Sequence, residues 1–247
     1  MPNSHSYQLE TLTQGALLLG NDWLVGELTK KFTDLSVQVY TSAASVPEDL
    51  DLDYLLLEGG GGEKDEELTK LIDTHSPRAL LLTHHQDKLD PPHKDFVPLY
   101  FSDYFGPDFT FAPTLTRLLN SAGLGDSITL PDDGILDYSL ITQKDLVEGI
   151  FHALTTPKLA PISLLTSKAP ISLLSLAYLI RSSLNKDIKL KFDQPLPAQE
   201  ILQPSAKLTP LSGWQSSDNL TDSLPPFIKS YTPEKSRPNP EPKQPLE

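Results

Sequence analysis

The sequence predicts an α/β fold in which a doubly wound, mainly parallel sheet is accompanied by a small mixed α/β C-terminal portion. Two observations support this prediction. Short apolar runs of strand length alternate with segments whose apolar residues recur at helical spacing, which is typical of βα units. In addition, the first apolar run, at residues 16–19, is followed by a glycine-containing turn and then by a helical pattern that reaches Phe32.

The turn after the first strand, at residues 20–26, has the spacing of the G-x-x-G-x-x-G motif that opens a Rossmann-like, dinucleotide-binding unit. Gly20 and Gly26 hold the outer positions, but Trp23 stands at the middle one, where the backbone must approach a pyrophosphate. We predict that Trp23 fills the vacated pyrophosphate space; stacking on an adenine is the alternative. The vestigial cofactor-binding residues predicted here are Gly20, Asn21, Asp22, Trp23, Leu24 and Gly26.

The second and third strands add no cofactor-binding signature. The second strand, at residues 37–40, ends without the acidic residue that holds the ribose of NAD and without an arginine for a 2′-phosphate. The third strand, at residues 52–57, is followed by Glu58 and a run of four glycines, but the phosphate-loop sequence Gly-Lys-Ser/Thr is absent. Because carboxylates begin the next helix, we predict an acidic-capped turn there.

Histidines follow the fourth strand, which is predicted at residues 78–83. His84 and His85 are adjacent, with Asp87 and His93 nearby, so the cluster suggests a metal site. Adjacent residues of an extended chain point to opposite sides, however, and the spacing of known metal motifs is absent. The sequence therefore predicts a polar loop and no metal site.

The rest of the chain continues the alternation of strands and helices. We predict a fifth strand at 96–101, a turn at 102–107, helices at 114–122, 143–154 (capped by Thr142) and 173–184 (capped by Ser172), and strands at 162–165 and 188–192. The predicted organisation is an N-terminal extension (1–15), a Rossmann-like domain (16–135), a C-terminal, substrate-side region (136–231) and a disordered Pro-rich tail (232–247).

Composition excludes several classes of function. The 247 residues carry a net charge of −13 and no basic block, so nucleic acid and anionic membranes are not expected partners. The chain has no cysteine, which excludes disulfides and thiol catalysis. No apolar run approaches the ~20 residues needed to span a bilayer, so no membrane insertion is expected. Since the first eight residues show no signal-peptide pattern, we expect a cytoplasmic protein.

Five stretches between residues 16 and about 231 carry a family resemblance. They are DYLLL at 53–57, YFSDYFGP at 100–107, the segment 137–150, PISLLSLAYLI at 170–180 and AKLTPLSGW at 206–214. Their order and spacing resemble the extended short-chain dehydrogenase/reductase family, the NAD-dependent nucleotide-sugar epimerases and dehydratases. The resemblance implies NAD(P) as the cofactor and a nucleotide sugar as the substrate wherever the family activity is retained.

The catalytic residues of that family are not found in their place. The family's Tyr-x-x-x-Lys lies on a long helix between the fourth and fifth strands, but residues 83–97 are too few for that helix. The only match runs from Tyr231 to Lys235 and contains Pro233, so we interpret it as coincidental. Thr83 corresponds to the family's catalytic Ser/Thr but has no tyrosine to assist. The remaining weak catalytic candidates are Thr83, His84, His85 and Tyr104.

We therefore predict a catalytically inactive relative of this family, which acts by binding a small-molecule ligand or a protein partner and needs no cofactor. Two alternatives remain. The first is an active NAD(P)-dependent epimerase, dehydratase or reductase that uses non-standard residues, with His84 or His85 as acid/base and Tyr104 or Asp22 near the turn. The second is a structural or assembly subunit paired with an active homologue.

Overall fold

The computed structural model describes residues 14–59, 66–85, 91–107, 110–156, 159–160, 163–193 and 208–232. In this part of the chain, strands alternate with helices from the start. The strands are β1 (Gln14–Leu19), β2 (Gln38–Tyr40), β3 (Asp51–Glu58), β4 (Arg78–His84), β5 (Val97–Phe101), β6 (Asp103–Phe105), β7 (Ser127–Pro131), β8 (Asp137–Tyr138), β9 (Leu140–Thr142), β10 (Ser163–Leu165), β11 (Ile171–Ser172), β12 (Lys189–Asp193) and β13 (Thr209–Pro210). The helices are α1 (Asp22–Asp34), α2 (Glu66–His75), α3 (Pro113–Leu124), α4 (Gln143–Thr155), α5 (Leu173–Leu184) and α6 (Leu220–Ser230).

Seven of these strands form one sheet, in the order β13-β10-β5-β4-β3-β1-β2. Strand β1 pairs in parallel with β2 and β3, β3 with β4, and β10 with β5 and β13. Parallel neighbours need a crossover connection, which α1 supplies between β1 and β2, and α2 between β3 and β4. Smaller two-stranded pairs, both parallel and antiparallel, follow later in the chain. The predicted α/β fold with a mainly parallel sheet is confirmed.

The chain divides into two compact units, each described here by itself. The first unit comprises residues 1–83, 88–98 and 154–157. In this unit α1 buries Leu24, Leu28 and Phe32, which recur every four residues and so share one face of the helix. The core of the first unit contains Leu17, Tyr40, Leu50, Leu52, Leu55, Leu68, Ile72, Ala79, Leu81 and Phe96.

The second unit comprises residues 84–87, 99–153 and 158–247. Its core is built by α3, α5 and α6 together with β7 and β9, and includes Leu115, Leu176 and Leu224. Two predicted helix caps are confirmed in this unit. The hydroxyl oxygen of Thr142 accepts the Asp145 N–H at 3.1 Å, and that of Ser172 accepts the Ser175 N–H at 3.1 Å.

The structure corrects the predicted turn at residues 102–107. Residues Asp103–Phe105 are strand β6 and pair in parallel with β9, which lies far along the chain. A local pattern does not reveal such pairing, because the partner strand decides whether an extended segment becomes a strand. Helix α6 was also not predicted, since Pro225 and Pro226 lie inside it.

Some predictions fall on residues that the structure does not describe. These are the N-terminal extension up to residue 13, most of the glycine run after Glu58, and the tail beyond residue 232. The connection from β4 to β5 is short, as predicted: β4 ends at His84, β5 begins at Val97, and residues 85 and 91–96 contain no helix. In the described ranges, no helix combines the length and the apolar character that crossing a membrane demands.

Candidate functional site

The turn between β1 and α1 is the first candidate site. Helix α1 begins at Asp22, directly after Gly20 and Asn21, so Trp23 lies in the first helical turn and is half-buried. Asn21 is the N-cap, and its side-chain Oδ1 accepts the N–H of Leu24 at 2.9 Å. The Leu24 amide is therefore already engaged by the protein, although in a dinucleotide-binding fold amides of this helical turn face the pyrophosphate.

Glu58 supplies a carboxylate to the same turn. Its Oε2 accepts the backbone N–H of Asn21 at 2.7 Å, and both carboxylate oxygens lie 2.8 Å from the Asn21 side-chain nitrogen. This contact arises because β1 and β3 are parallel neighbours, with Leu19 opposite Leu57, so the residues after them meet at one edge of the sheet. A helix N-terminus favours an anion, and here a protein carboxylate provides it.

Of the two outer glycines of the turn, Gly20 makes room for this contact and Gly26 does not take part in it. A Cβ added at Gly20 would lie 2.7 Å from Oε2 of Glu58 and 3.1 Å from its Cβ, so the absence of a side chain at Gly20 makes room for Glu58. Gly26 is exposed, and a Cβ there would meet no atom within 4 Å. Gly26 therefore does not provide the close helix–strand packing that the third glycine of the motif normally allows.

The end of β2 is the place where a dinucleotide-binding fold carries its ribose-binding residue. Strand β2 ends at Tyr40, whose ring belongs to the core of the first unit. The residues that follow, Thr41 to Val46, include neither an acid for ribose hydroxyls nor an arginine for a 2′-phosphate.

A buried polar cluster in the second unit is the second candidate site. The His84 Nε2 lies 2.8 Å from Oδ1 of Asp103, and the hydroxyl of Tyr138 donates a hydrogen bond to Oδ2 of the same carboxylate. The three residues are 5%, 4% and 1% exposed. Burial, followed by the charge and hydrogen bond of Asp103, raises the pKa of Tyr138 well above its ordinary value, so its phenol keeps its proton.

His85 lies beside this cluster, with its ring centroid 4.3 Å from that of His84. The prediction that the two histidines point to opposite sides is wrong, because β4 ends at His84 and His85 begins a turn, where strand alternation no longer applies. The Nδ1 of His85 is buried and has no hydrogen-bond partner among the described residues. Burial, and then the His84 imidazole, lower the pKa of His85 to about 4, so this ring is neutral at pH 7.

Aromatic rings enclose the buried imidazole. The His84 ring packs edge-on against Phe101 and Phe111, with centroids 5.4 and 4.9 Å away. Tyr104, a candidate from the sequence, is 2% exposed and stacks on Phe111, so it is part of this aromatic wall. The cluster therefore lies in a low-dielectric environment, where its hydrogen bonds and charges interact strongly.

The other described candidates from the sequence take no part in the hydrogen bonds of this cluster. Thr83 precedes His84 in β4 and is buried at 1% exposure. The two ring nitrogens of His93 lie 3.5 Å from Asp73 and 3.6 Å from Asp95, while Asp87 lies outside the described residues. The Tyr231 hydroxyl donates to Oδ1 of Asn120 at 3.1 Å, and Lys235 is likewise outside the description.

A cavity of about 360 Å³ lies within the second unit. Its wall is held in place by Asp145 on α4, whose Oδ1 accepts both the N–H and the hydroxyl of Ser217 at 2.9 Å. The neighbouring Asp218 accepts the Thr142 hydroxyl at 2.8 Å and lies 3.4 Å from the Lys144 ammonium. Rings and polar groups share the lining, which consists of Phe105, Gly106, Pro107, Thr142, Gln143, Lys144, Asp218, Ser223, Pro226, Phe227 and Ser230.

Sequence reasoning missed Glu58, Asp103 and Tyr138 as site residues. Glu58 carried one usable signal, because it directly follows an apolar strand, and residues after parallel strands meet at one edge of the sheet. Asp103 and Tyr138 were noticed only as parts of the stretches with a family resemblance. Their contact across 35 positions of the chain depends on the tertiary structure.

Comparisons with known proteins agree on the fold. Among solved structures, a UDP-N-acetylglucosamine 4-epimerase from Bacillus cereus superposes with a TM-score of 0.55 at 11% identity, covering 87% of this chain and 98% of that one. A dTDP-glucose 4,6-dehydratase from Bacillus anthracis, solved with NAD, has a TM-score of 0.56 at 10% identity over 88% and 96%. A putative epimerase from Burkholderia cenocepacia has a TM-score of 0.58 at 13% identity over 87% and 97%.

The sequence itself matches no protein-family model and no curated protein. At 10–13% identity, the structural likeness shows a shared fold. The resemblance to nucleotide-sugar epimerases and dehydratases that the sequence predicts is therefore confirmed at the level of the fold.

Proposed function

We propose that this chain, which shares the fold of NAD-dependent nucleotide-sugar epimerases and dehydratases, is catalytically inactive and acts by binding a ligand or a protein partner. The observation that carries the proposal is the contact between Glu58 and Asn21 at the N-terminus of α1. A neighbour with this fold holds NAD. In this chain, the Glu58 carboxylate lies at the N-terminus of α1, the end of a helix that favours an anion.

Electrostatics explains why Glu58 opposes a dinucleotide. A pyrophosphate at the same helix end would bring negative charge near the half-buried Glu58 carboxylate. Two unit charges roughly 4 Å apart repel by about 4 kcal/mol near a protein surface. That repulsion corresponds to a loss of affinity on the order of a thousandfold.

Among the described tyrosines, neither Tyr138 nor Tyr231 is suited to the proton transfer of the family. A catalytic phenol that exchanges protons near neutral pH needs a pKa matched to that pH. The pKa of Tyr138 is raised, and its hydroxyl donates to Asp103, so Tyr138 does not fit that role. Tyr231, which directly follows α6, donates its hydroxyl to Oδ1 of Asn120 in α3.

The cavity in the second unit is the proposed ligand site. Its volume of about 360 Å³ lies within the range of small-molecule pockets. Phe105 and Phe227, whose ring centroids are 5.1 Å apart, contribute apolar surface to the lining, and the Lys144–Asp218 pair offers charged groups for polar substituents. A nucleotide or a sugar derivative matches this combination.

The decisive experiment separates cofactor binding from ligand binding. Isothermal titration of NAD⁺, NADH, NADP⁺ and NADPH is expected to give no binding at micromolar concentrations. Micromolar binding together with turnover of any nucleotide sugar would contradict the proposal. A thermal-shift screen of nucleotides and nucleotide sugars is expected to find stabilising ligands, since binding raises stability with the logarithm of ligand concentration.

A matched pair of variants tests the cavity. Ser230→Trp places a large side chain at its lining and is expected to abolish the ligand-induced thermal shift. Ser182→Trp, on an exposed position of α5 outside this lining, is expected to leave the shift unchanged. Equal shifts in both variants would place the ligand elsewhere.

A protein partner is the other form of binding, either as a regulator or as an active homologue with which this chain assembles. Native mass spectrometry of the chain purified from its host distinguishes the binding of a small-molecule ligand from the binding of a protein partner. A small mass increment would indicate a ligand, and a second polypeptide would indicate an assembly subunit.

A second candidate, an active enzyme, is favoured by the His84–Asp103 pair, because a carboxylate beside an imidazole supports acid–base catalysis. If this chain turns over a nucleotide sugar, His84→Asn and His85→Asn should each lower kcat by roughly 10²- to 10⁴-fold. Unchanged turnover in both variants would remove this candidate.

A further inference from the structure

We propose that His84, His85 and Asp103 form a binding site for a divalent transition-metal ion, independently of the proposed function. Each residue offers one ligand atom, and the three atoms lie within 4.8 Å of one another. The sequence predicts no metal site here because adjacent histidines of a strand diverge. The structure removes that objection, since the two imidazole rings are 4.3 Å apart.

The three ligand atoms lie near enough to one another for shifts of about an ångström to bring them to the spacing of a metal centre. With metal–ligand bonds of about 2.1 Å, the ligand atoms of a tetrahedral ion are roughly 3.4 Å apart. Here His84 Nε2 and Asp103 Oδ1 are 2.8 Å apart, as in a direct hydrogen bond. An ion that replaced the shared proton would move these two atoms apart slightly and draw the His85 nitrogen inward.

His85 provides a metal-ligating nitrogen that takes no part in the hydrogen bonds among His84, Asp103 and Tyr138. Its Nδ1 is buried and has no hydrogen-bond partner among the described residues. Leaving a buried polar atom unpaired is unfavourable. Coordination of an ion by the imidazole would satisfy the ring, and because His85 is only half-buried, the ion could enter from its side.

Tyr138 is the positioning residue for this site. Its hydroxyl holds Oδ2 of Asp103 and leaves Oδ1 on the side of His84. Carboxylates that bind metals are typically oriented by such an outer hydrogen bond, whose loss weakens binding by about 10- to 100-fold.

The donor set and its surroundings select the class of ion. Two imidazole nitrogens and one carboxylate oxygen suit Zn²⁺, Co²⁺ or Ni²⁺, whereas Mg²⁺ and Ca²⁺ prefer oxygen donors alone. Phe101 and Phe111 pack against His84 and exclude water from that side. Three protein ligands leave a fourth position of a tetrahedral ion for water or a small anion.

The test uses the untagged full-length chain, stripped with EDTA and freed of chelator. Titration with Co²⁺, followed by its visible absorption, is expected to saturate at one ion per chain, and Zn²⁺ is expected to displace the Co²⁺. His85→Ala should weaken Co²⁺ binding by about 100-fold or more, and Tyr138→Phe by about 10- to 100-fold. His75→Ala, in the last turn of α2, is the matched control and should bind as the wild type does.

The outcomes are distinct. Loss of Co²⁺ uptake in His85→Ala, with an unchanged thermal midpoint of the stripped protein, supports the site. Absence of stoichiometric uptake by the wild type overturns it, as does equal affinity in His85→Ala, and the cluster is then a structural hydrogen-bond network. If His85→Ala does not fold, His85→Gln, which retains the side-chain bulk, provides the same comparison.

Discussion

The carboxylate of Glu58 is hydrogen-bonded to Asn21 through both the backbone and the side-chain amide of the asparagine. Asn21 in turn caps α1 through the Leu24 N–H. These contacts join the ends of two neighbouring strands to the start of a helix. The turn that resembles a cofactor site in the sequence is thus closed by the protein's own hydrogen bonds.

The first prediction concerns anion binding at this turn. Glu58→Ala removes the carboxylate, so inorganic pyrophosphate should bind at least about tenfold more tightly than to the wild type, measured by isothermal titration. The matched control is Glu48→Ala, because Glu48 is an acid of the same unit that is 95% exposed. If both variants bind pyrophosphate as weakly as the wild type, Glu58 is not what opposes an anion at α1.

We also expect Glu58 to stabilise the fold through its hydrogen bonds to Asn21. Loss of its charge-assisted hydrogen bonds at the helix N-terminus should lower the free energy of unfolding of Glu58→Ala by about 1–2 kcal/mol. Gly20→Ala should destabilise the wild type because its Cβ would lie 2.7 Å from the Glu58 carboxylate. In the Glu58→Ala background that clash disappears, so a double-mutant cycle from urea unfolding should be clearly non-additive.

The second prediction contrasts two glycines inside helices. Gly26 in α1 faces open space, so Gly26→Ala should raise the free energy of unfolding by roughly 0.5–1 kcal/mol. Gly149 in α4 packs closely: an added Cβ would lie 2.6 Å from Leu165 and 3.1 Å from the Trp214 ring. Gly149→Ala should therefore destabilise by about 1–3 kcal/mol. Urea unfolding of both variants checks whether the two changes in the free energy of unfolding have opposite signs.

The third prediction concerns the dependence of stability on pH. The pKa of His85 is about 4 in the folded chain and ordinarily 6.5, so the unfolded chain binds more protons between these values. The contribution of neutral His85 is therefore complete above pH 6.5 and is lost as the pH falls towards 4. After a discount for solvent screening, the loss is at most about 2 kcal/mol.

Comparison with His85→Gln separates the contribution of His85 to the pH dependence of stability from the contributions of the other titratable groups. In EDTA, the wild type should lose more stability than His85→Gln between pH 7 and pH 5, as measured by urea unfolding. Parallel losses in the two proteins would show that folding does not lower the pKa of His85.

The fourth prediction concerns the buried cluster. Tyr138→Phe leaves Oδ2 of Asp103 without its donor in a buried environment, so the free energy of unfolding should fall by about 1.5–3 kcal/mol. Tyr178→Phe, at a site that is 53% exposed, is the control and should change stability by less than about 0.5 kcal/mol. Equal free energies of unfolding for the two variants would mean that the Tyr138 hydroxyl does not contribute to the stability of the fold.

Much of the fold was predictable from local patterns. Apolar runs identified β1, β3 and β4, and hydroxyl residues before helical periodicities identified the caps Thr142 and Ser172. These features depend on a residue and its near neighbours, which are present in any window of the sequence. Strand β6 was missed because its extended state depends on pairing with β9.

The candidate sites were predictable only in part. The sequence showed that the glycine turn was altered at Trp23 and that the second strand lacked a ribose-binding acid. It did not show that Glu58, 37 positions away from Asn21, closes the turn, or that Asp103 joins His84 and Tyr138.

The sequence by itself determined the opening alternation of β1, α1, β2, β3, α2 and β4, the caps at Thr142 and Ser172, and the departures from the family's glycine and Tyr-x-x-x-Lys motifs. Only the tertiary structure decided which polar side chains meet. The reason is physical: secondary structure follows from short-range periodicity and capping, whereas the contacts of Glu58 with Asn21 and of Asp103 with His84 depend on which strands become neighbours.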